Sequence, residues 1–148
     1  MSEGTLLISV RPRYSELIFD GTKTVELRRT RPRLCPGDHV FVYVSSPIKR
    51  LTGVLEVAGV VADKPAKLWR RIGSGAAVSK AIFLTYFEGA KIGFGICIKR
   101  AWTMSQPQSL DEVRRAIPRF QPPQIYRYLT ADELALLGFV PSAYRRAA

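Results

Sequence analysis

The 148-residue sequence predicts an α+β domain: a small, mostly antiparallel β-barrel decorated with helices. Three observations point there. Runs rich in β-branched and aromatic residues, HVFVYVS and LTGVLEVAGVV above all, are joined by loops or by one helical excursion, as in an antiparallel sheet. Glycines fall inside those runs, where a small barrel needs bulges or tight bends. No Gly-rich phosphate loop follows the first apolar run, so neither a doubly wound α/β sheet nor triphosphate hydrolysis of the usual kind is supported.

Taken in order, Thr5–Val10 reads as a first strand. Pro12 suits the first turn of a helix, where its missing N–H costs nothing. Tyr14, Leu17 and Ile18 give that helix an apolar stripe, and Gly21 stops it. Lys23–Arg29 is expected as a strand with Val25 and Leu27 on one face and Thr24, Glu26 and Arg28 on the other. Two prolines and Gly37 make Thr30–Asp38 a loop. His39–Ser45 and Leu51–Val61 are strands joined at Ser46-Pro47, with Gly53 and Gly59 as bulge sites. Pro65–Ile72 and Ser79–Phe87 are helices separated by Gly73-Ser74-Gly75. Ala90–Trp102 returns as a long strand, with bends expected at Gly93 and Gly95. Ser109 with Glu112, and Thr130 with Glu133, are capping boxes that each open a helix, the second ending at Gly138. Pro118–Pro123 is a stiff extended segment leading into Tyr126-Arg127-Tyr128. The expectation is one domain over 1–148, with a helical excursion near 64–88 and a helical C-terminal extension over 109–148.

Composition narrows the function. Lys and Arg number 23 against 12 Asp and Glu, a net charge of +11, and the surplus runs through every third of the chain. A folded domain with that excess presents a positive surface, and polyanions are its natural partners. No apolar run approaches the ~18 residues of a membrane span, and no helix pairs a basic face with a Trp/Phe/Leu face, so a membrane partner is not expected. The first residues lack an extended apolar stretch, which makes the cytoplasm the expected compartment. Two cysteines and one histidine are too few for an ordinary zinc site, so no metal or cofactor is predicted. Cys97 reads as a small buried hydrophobe, Cys35 as a loop residue and His39 as structural.

The stretch GTKTVELR carries the most chemistry. Glu26 and Arg28 lie two apart on a strand and share a face, while Lys23 sits at the turn after Gly21 and can curl over it. A carboxylate between two cations can accept from an N–H of a base while the cations donate to a carbonyl or phosphate. Lys23 and Glu26 are also the candidate catalytic pair, because a buried lysine beside a carboxylate can transfer protons. Arg11 lies at a helix start that favours anions. Ser45, Ser46 and Lys49 can add hydroxyl and phosphate contacts. Tyr126, Arg127 and Tyr128 offer two aromatic faces around a guanidinium, suited to base stacking.

The run from Leu6 to Val61 resembles the ASCH domain, a branch of the PUA-like superfamily. Its Gly21, Lys23, Glu26 and Arg28 match that family's G-x-K-x-x-E-x-R, GFGICIKRAW fits its closing strand, and QPPQIYRYLT is similar to a prokaryotic subgroup labelled predicted transcriptional regulators. The resemblance implies a PUA-like barrel and three kinds of activity: RNA or DNA binding, RNA cleavage, and deacetylation of 4-acetylcytidine by a lysine, a threonine and a glutamate. The lysine of that last branch falls on Lys23, but its threonine falls where this chain has Glu26. The leading expectation is therefore an RNA- or nucleotide-binding domain with a charged cleft. A small hydrolase of RNA or a modified nucleoside is the alternative, and a DNA-binding transcription regulator the second. The sequence specifies no oligomeric state and leaves turnover open.

Overall fold

Strand β1 (Thr5–Val10) sends alternate side chains to opposite faces of a sheet, and a computed structural model describes the chain from there to residue 139. Helix α1 (Pro12–Phe19) starts at Pro12 as anticipated, and Gly21 follows it at φ 88°, a left-handed conformation that glycine adopts without a Cβ penalty. Strand β2 is only Val25–Arg28. It is shorter than the expected 23–29 because the backbone ahead of it is bonded elsewhere. The Lys23 N–H donates to the Leu17 carbonyl at 2.9 Å, and the Thr24 N–H to that of Gly75 at 2.8 Å.

Strands β3 (His39–Val44) and β4 (Arg50–Asp63) follow, then the excursion: α2 (Pro65–Ile72), a 3-10 turn (Gly73–Gly75) and α3 (Lys80–Tyr86). Strand β5 runs Gly93–Ser109, well past the expected end at Trp102, since β4 continues to pair with it as far as Arg50. Helix α4 (Leu110–Ala116) and helix α5 (Ala131–Leu136) both begin at the anticipated capping boxes, each with its two reciprocal hydrogen bonds formed. Between them lies a short strand, β6 (Arg127–Leu129), where the sequence suggested only extended chain. Residues 1–4 of the expected single domain and 140–148 of the expected C-terminal extension lie outside the described residues.

The strands form one sheet in the order β2-β5-β4-β3-β1-β6. Only the β1–β3 pair is parallel; every other neighbouring pair is antiparallel. The architecture is thus mixed α and β, with a six-stranded sheet whose end strands, β2 and β6, do not pair among the described residues. The sheet still bends far enough for Arg28 of β2 to reach the Ser9 carbonyl of β1 and the Ile125 carbonyl just before β6.

Register shifts in β4 between Leu51 and Gly53, and between Val57 and Gly59, fall at the glycines read as bulge sites. The first puts Leu51 on the same face as Val54. Gly93 and Gly95 behave differently from expectation. Both pair in register, and their role is close approach: a Cβ would meet the Phe87 ring at 2.7 Å in one case and Ile72 Cδ1 at 2.3 Å in the other. Their bare backbone lets the excursion lie down on β5.

Three apolar clusters follow from the alternation. Leu6, Ile8, Val40, Val42, Leu55 and Ile96 face α1 through Ile18. Leu7, Phe41, Tyr43 and Val54 face α4 and the start of the C-terminal region. Val25, Leu68, Ile72 and Phe83 join the excursion to β2. His39 is buried edge-on to Trp102, 6.1 Å between ring centres, and Cys97 is half-buried in the third cluster. Among the described residues no helix is long and apolar enough to cross a membrane.

Candidate ligand-binding cleft

The termination of β2 at Val25 shapes the site. In a continuous strand, residues 23 and 26 would point to opposite faces. Because the chain bends ahead of Val25, Lys23 instead folds under the side of β2 that carries Glu26 and Arg28. All three line one cleft of about 600 Å³, although each is more than nine-tenths buried. That volume lies within the ~300–1,000 Å³ usual for small-molecule sites.

Each wall has its own source. The C-terminal end of β1 and the start of α1 supply Ser9, Arg11 and Tyr14. Helix α3 supplies Ile82, Phe83 and Tyr86, of which Ile82 and Tyr86 are exposed at the mouth. Gln124 closes the far side from the segment before β6. The walls are thus largely apolar and aromatic, and the charge is concentrated on the floor.

Glu26 sits between the two cations. Its Oε2 accepts from Arg28 Nη2 at 2.7 Å, and its Oε1 lies 3.8 Å from Lys23 Nζ, an ion pair too long for a hydrogen bond. Lys23 Nζ donates to the Ala76 carbonyl at 2.6 Å and stands 5.3 Å from the centre of the Tyr14 ring. Arg28 Nη1 donates to the Ile125 carbonyl at 2.6 Å, while Nη2 also reaches the Ser9 carbonyl at 3.4 Å. Burial pushes the Lys23 ammonium below the usual lysine range; Glu26 opposes that shift and Arg28 adds to it. Burial likewise raises the Tyr86 phenol, whose hydroxyl donates to the Leu27 carbonyl at 3.1 Å.

Two buried polar atoms of cleft residues, Arg28 Nε and Ser9 Oγ, have no hydrogen-bond partner among the described residues. Leaving such groups unpaired costs roughly 1–3 kcal/mol each, more when charged. Such groups are usually satisfied by an ordered water or a polar ligand.

The anticipated site residues divide into two sets. Lys23, Glu26, Arg28 and Arg11 come together in the cleft. Thr24 leaves the face it was expected to share, its Oγ1 lying 2.5 Å from where a Cβ on Gly75 would be. Ser45, Ser46 and Lys49 form the turn after β3 and do not line the cleft, although the Ser45 N–H donates to the Val10 carbonyl at 2.9 Å. Tyr126 and Tyr128 pack beneath the loop after β2: the Tyr126 hydroxyl donates to the Arg31 carbonyl at 2.8 Å, and Tyr128 Oη accepts from the Arg33 N–H at 2.6 Å. Arg127 is paired with Glu133 of α5 and lies over the Phe120 ring, 5.2 Å from its centre. Missing from the sequence reading were Ser9, Tyr14, Gln124 and the whole wall from α3. Their positions depend on long-range docking, which no local pattern announces.

Among the described residues no three His, Cys, Asp or Glu side chains gather in a group able to hold a metal ion.

The model of the ASCH domain matches residues 8–103 of the chain. An ASCH domain-containing ribonuclease of Zymomonas mobilis is 29% identical over 127 residues, covering 86% of this chain and 85% of the relative. The crystal structure of the ASCH protein from Zymomonas mobilis superposes with a TM-score of 0.84 at 28% identity, over 90% of this chain and 93% of that one. A single-residue variant of the same protein gives 0.85 at 27% identity, over 92% and 97%.

Proposed function

The chain belongs to the ASCH domain family, and from that premise we propose that it is an RNA-binding protein that takes one unstacked nucleotide into the cleft between α1 and α3. One observation carries the reading. A nucleotide-sized cleft places the charged trio Lys23, Glu26 and Arg28 on its floor and apolar, aromatic side chains on its walls. Single-stranded RNA is recognised in this manner, by splayed bases that stack on aromatic groups while their edges are hydrogen-bonded. Tyr86 and Ile82 at the mouth suit the base faces, and Arg11 suits a flanking phosphate. The net charge of +11 brings the polyanion to the surface. We read the bent sheet as an open PUA-like barrel with the cleft in its seam, and the protein as cytoplasmic.

The test is binding of a short single-stranded RNA, followed by fluorescence anisotropy at moderate salt. Lys23→Ala and Arg28→Lys are expected to weaken binding at least about tenfold, the loss of one charged contact or bidentate geometry. Single-stranded RNA is expected to outcompete duplex DNA, whose bases are stacked and paired. Absence of RNA binding by the folded wild-type protein would sink the proposal.

A second reading, RNA hydrolysis, is favoured by the similarity to a ribonuclease and by the depressed proton affinity of Lys23 beside Glu26. In that reading Glu26 takes the proton of a 2′-hydroxyl as it attacks the adjacent phosphorus. Lys23 protonates the departing 5′-oxygen, leaving a 2′,3′-cyclic phosphate and a 5′-hydroxyl. Cleavage products that vanish in Glu26→Gln, while binding persists, would favour it over binding alone.

A further inference from the structure

The topology gathers four strand ends beside the cleft. Strand β1 ends at Val10, opposite Val44 at the end of β3, and the Ser45 N–H donates to the Val10 carbonyl at 2.9 Å. Strand β4 starts at Arg50, which pairs with Val44 on one side and with Ser109, the last residue of β5, on the other. The Leu110 N–H of α4 donates to the Lys49 carbonyl at 3.0 Å and ties that helix to the same turn. Exposed cations follow in the same order: Arg11 after β1, Lys49 and Arg50 at the turn into β4, and Arg115 on α4 after β5.

None of these four cations makes an ion pair among the described residues, whereas Arg71, Arg100 and Arg127 are matched by Asp63, Glu56 and Glu133. Glu112 stands near Arg50 and Arg115, but its carboxylate accepts from the Ser109 N–H in the capping box. That bond holds its carboxyl below the usual range, and Arg115 and Arg50 add to the shift. Lys49 sits at φ 52°, a conformation that glycine adopts freely and a lysine does not, so the turn keeps a cation where glycine would be at ease. We propose that the row is a track for the phosphodiester backbone of single-stranded RNA, leading from the cleft at Arg11 round the end of the sheet to α4. The inference rests on the RNA-binding reading of the cleft and adds where the rest of the RNA lies. Three strand spacings separate β1 from β5, roughly 14 Å, room for about four phosphates at the ~3.4 Å of a stacked chain. Cations without carboxylate partners exchange only water and counterions for phosphate, so no ion pair has to break. Contacts of this kind position the RNA and leave the choice of base to the cleft.

The experiment measures the affinity of the full chain for a single-stranded RNA decamer of mixed sequence, by fluorescence anisotropy over a series of salt concentrations. The double variant Arg50→Ala, Arg115→Ala is expected to lower the slope of log affinity against log salt by about 1.4, two single-strand phosphates at about 0.7 each. The double variant Arg50→Lys, Arg115→Lys keeps both charges and is expected to keep the wild-type slope. Arg70→Ala removes an exposed cation of α2, away from the row, and is also expected to leave the slope unchanged. A decamer that binds with the same slope in the double alanine variant overturns the track while leaving the cleft reading in place. A drop in Arg70→Ala as large as that of one row residue overturns it too, because the charge then acts diffusely. So does an equal loss in the alanine and lysine variants, which would mean that the two arginines support the fold. Binding to anionic phospholipid vesicles that the double alanine variant loses, with its decamer slope intact, overturns the track in favour of a membrane surface. Failure of the folded wild-type protein to bind the decamer overturns both readings.

Discussion

Lys23 shows how much one side chain can depend on where a strand stops. It is 3% exposed, and burial outweighs Glu26 in setting its proton affinity below the 10.5 of an ordinary lysine. A lysine that releases its proton more readily in the folded chain than in the unfolded one costs stability while both states are protonated. That cost is fully present below the folded value and is relieved as the pH rises toward 10.5. Wild-type protein is therefore expected to gain stability relative to Lys23→Met across that window. Urea midpoints of the two proteins across the pH range measure it, and a difference that is flat or falls with pH contradicts the assignment. The motif GTKTVELR made Lys23, Glu26 and Arg28 legible, because residues two apart on a strand share a face and Lys23, two after Gly21, sits where the chain is free to turn. Ser9 and Tyr14 were not legible. Nothing about a serine in an apolar strand, or a tyrosine in a helical stripe, distinguishes a cleft wall from a core.

At the scale of elements, the parts with local causes were readable. Both capping boxes, the proline starts of α1 and α2, and the breaks at Gly21 and Gly138 all rest on interactions within four residues. What depended on partners was not. Strand β6 has three residues, too few for a periodic signal, and exists because β1 offers it an edge. Strand β5 outruns its apolar pattern because β4 holds it. Gly53 and Gly59 looked alike in the sequence and differ in the fold. A Cβ on Gly53 would lie 2.4 Å from the Phe19 ring and 2.6 Å from the Trp102 carbonyl oxygen, whereas one on Gly59 meets nothing within 4 Å. Gly53→Ala should therefore push α1 away from β4 and cost about 1–3 kcal/mol, the usual penalty of overpacking. Gly59→Ala should stay within about 0.5 kcal/mol, as an unobstructed substitution does. Chemical denaturation of the pair measures both, and equal losses would show that α1 does not lean on Gly53.

For the whole molecule, the sheet brings remote stretches of chain to one place and the charge sets how RNA approaches it. If Arg11 contacts a phosphate beside the cleft, Arg11→Ala should reduce the slope of log affinity against log salt by about 0.7, the share of one single-strand phosphate. An unchanged slope would place the flanking strand elsewhere. The assembly also has an order in time. Arg28 is held by the carbonyl of Ile125, 97 positions along the chain, and Gln124 closes the cleft from the same segment. A ribosome that has made the first hundred residues has therefore already released Lys23, Glu26 and Arg28, but the wall that completes their cleft has yet to be translated. Domains emerge from the ribosome N-terminal end first, so the growing chain passes its own template and the ribosome's RNA with its motif exposed and its binding site unfinished. The cleft can therefore form only once Gln124 and Ile125, the latter 97 positions after Arg28, have been made.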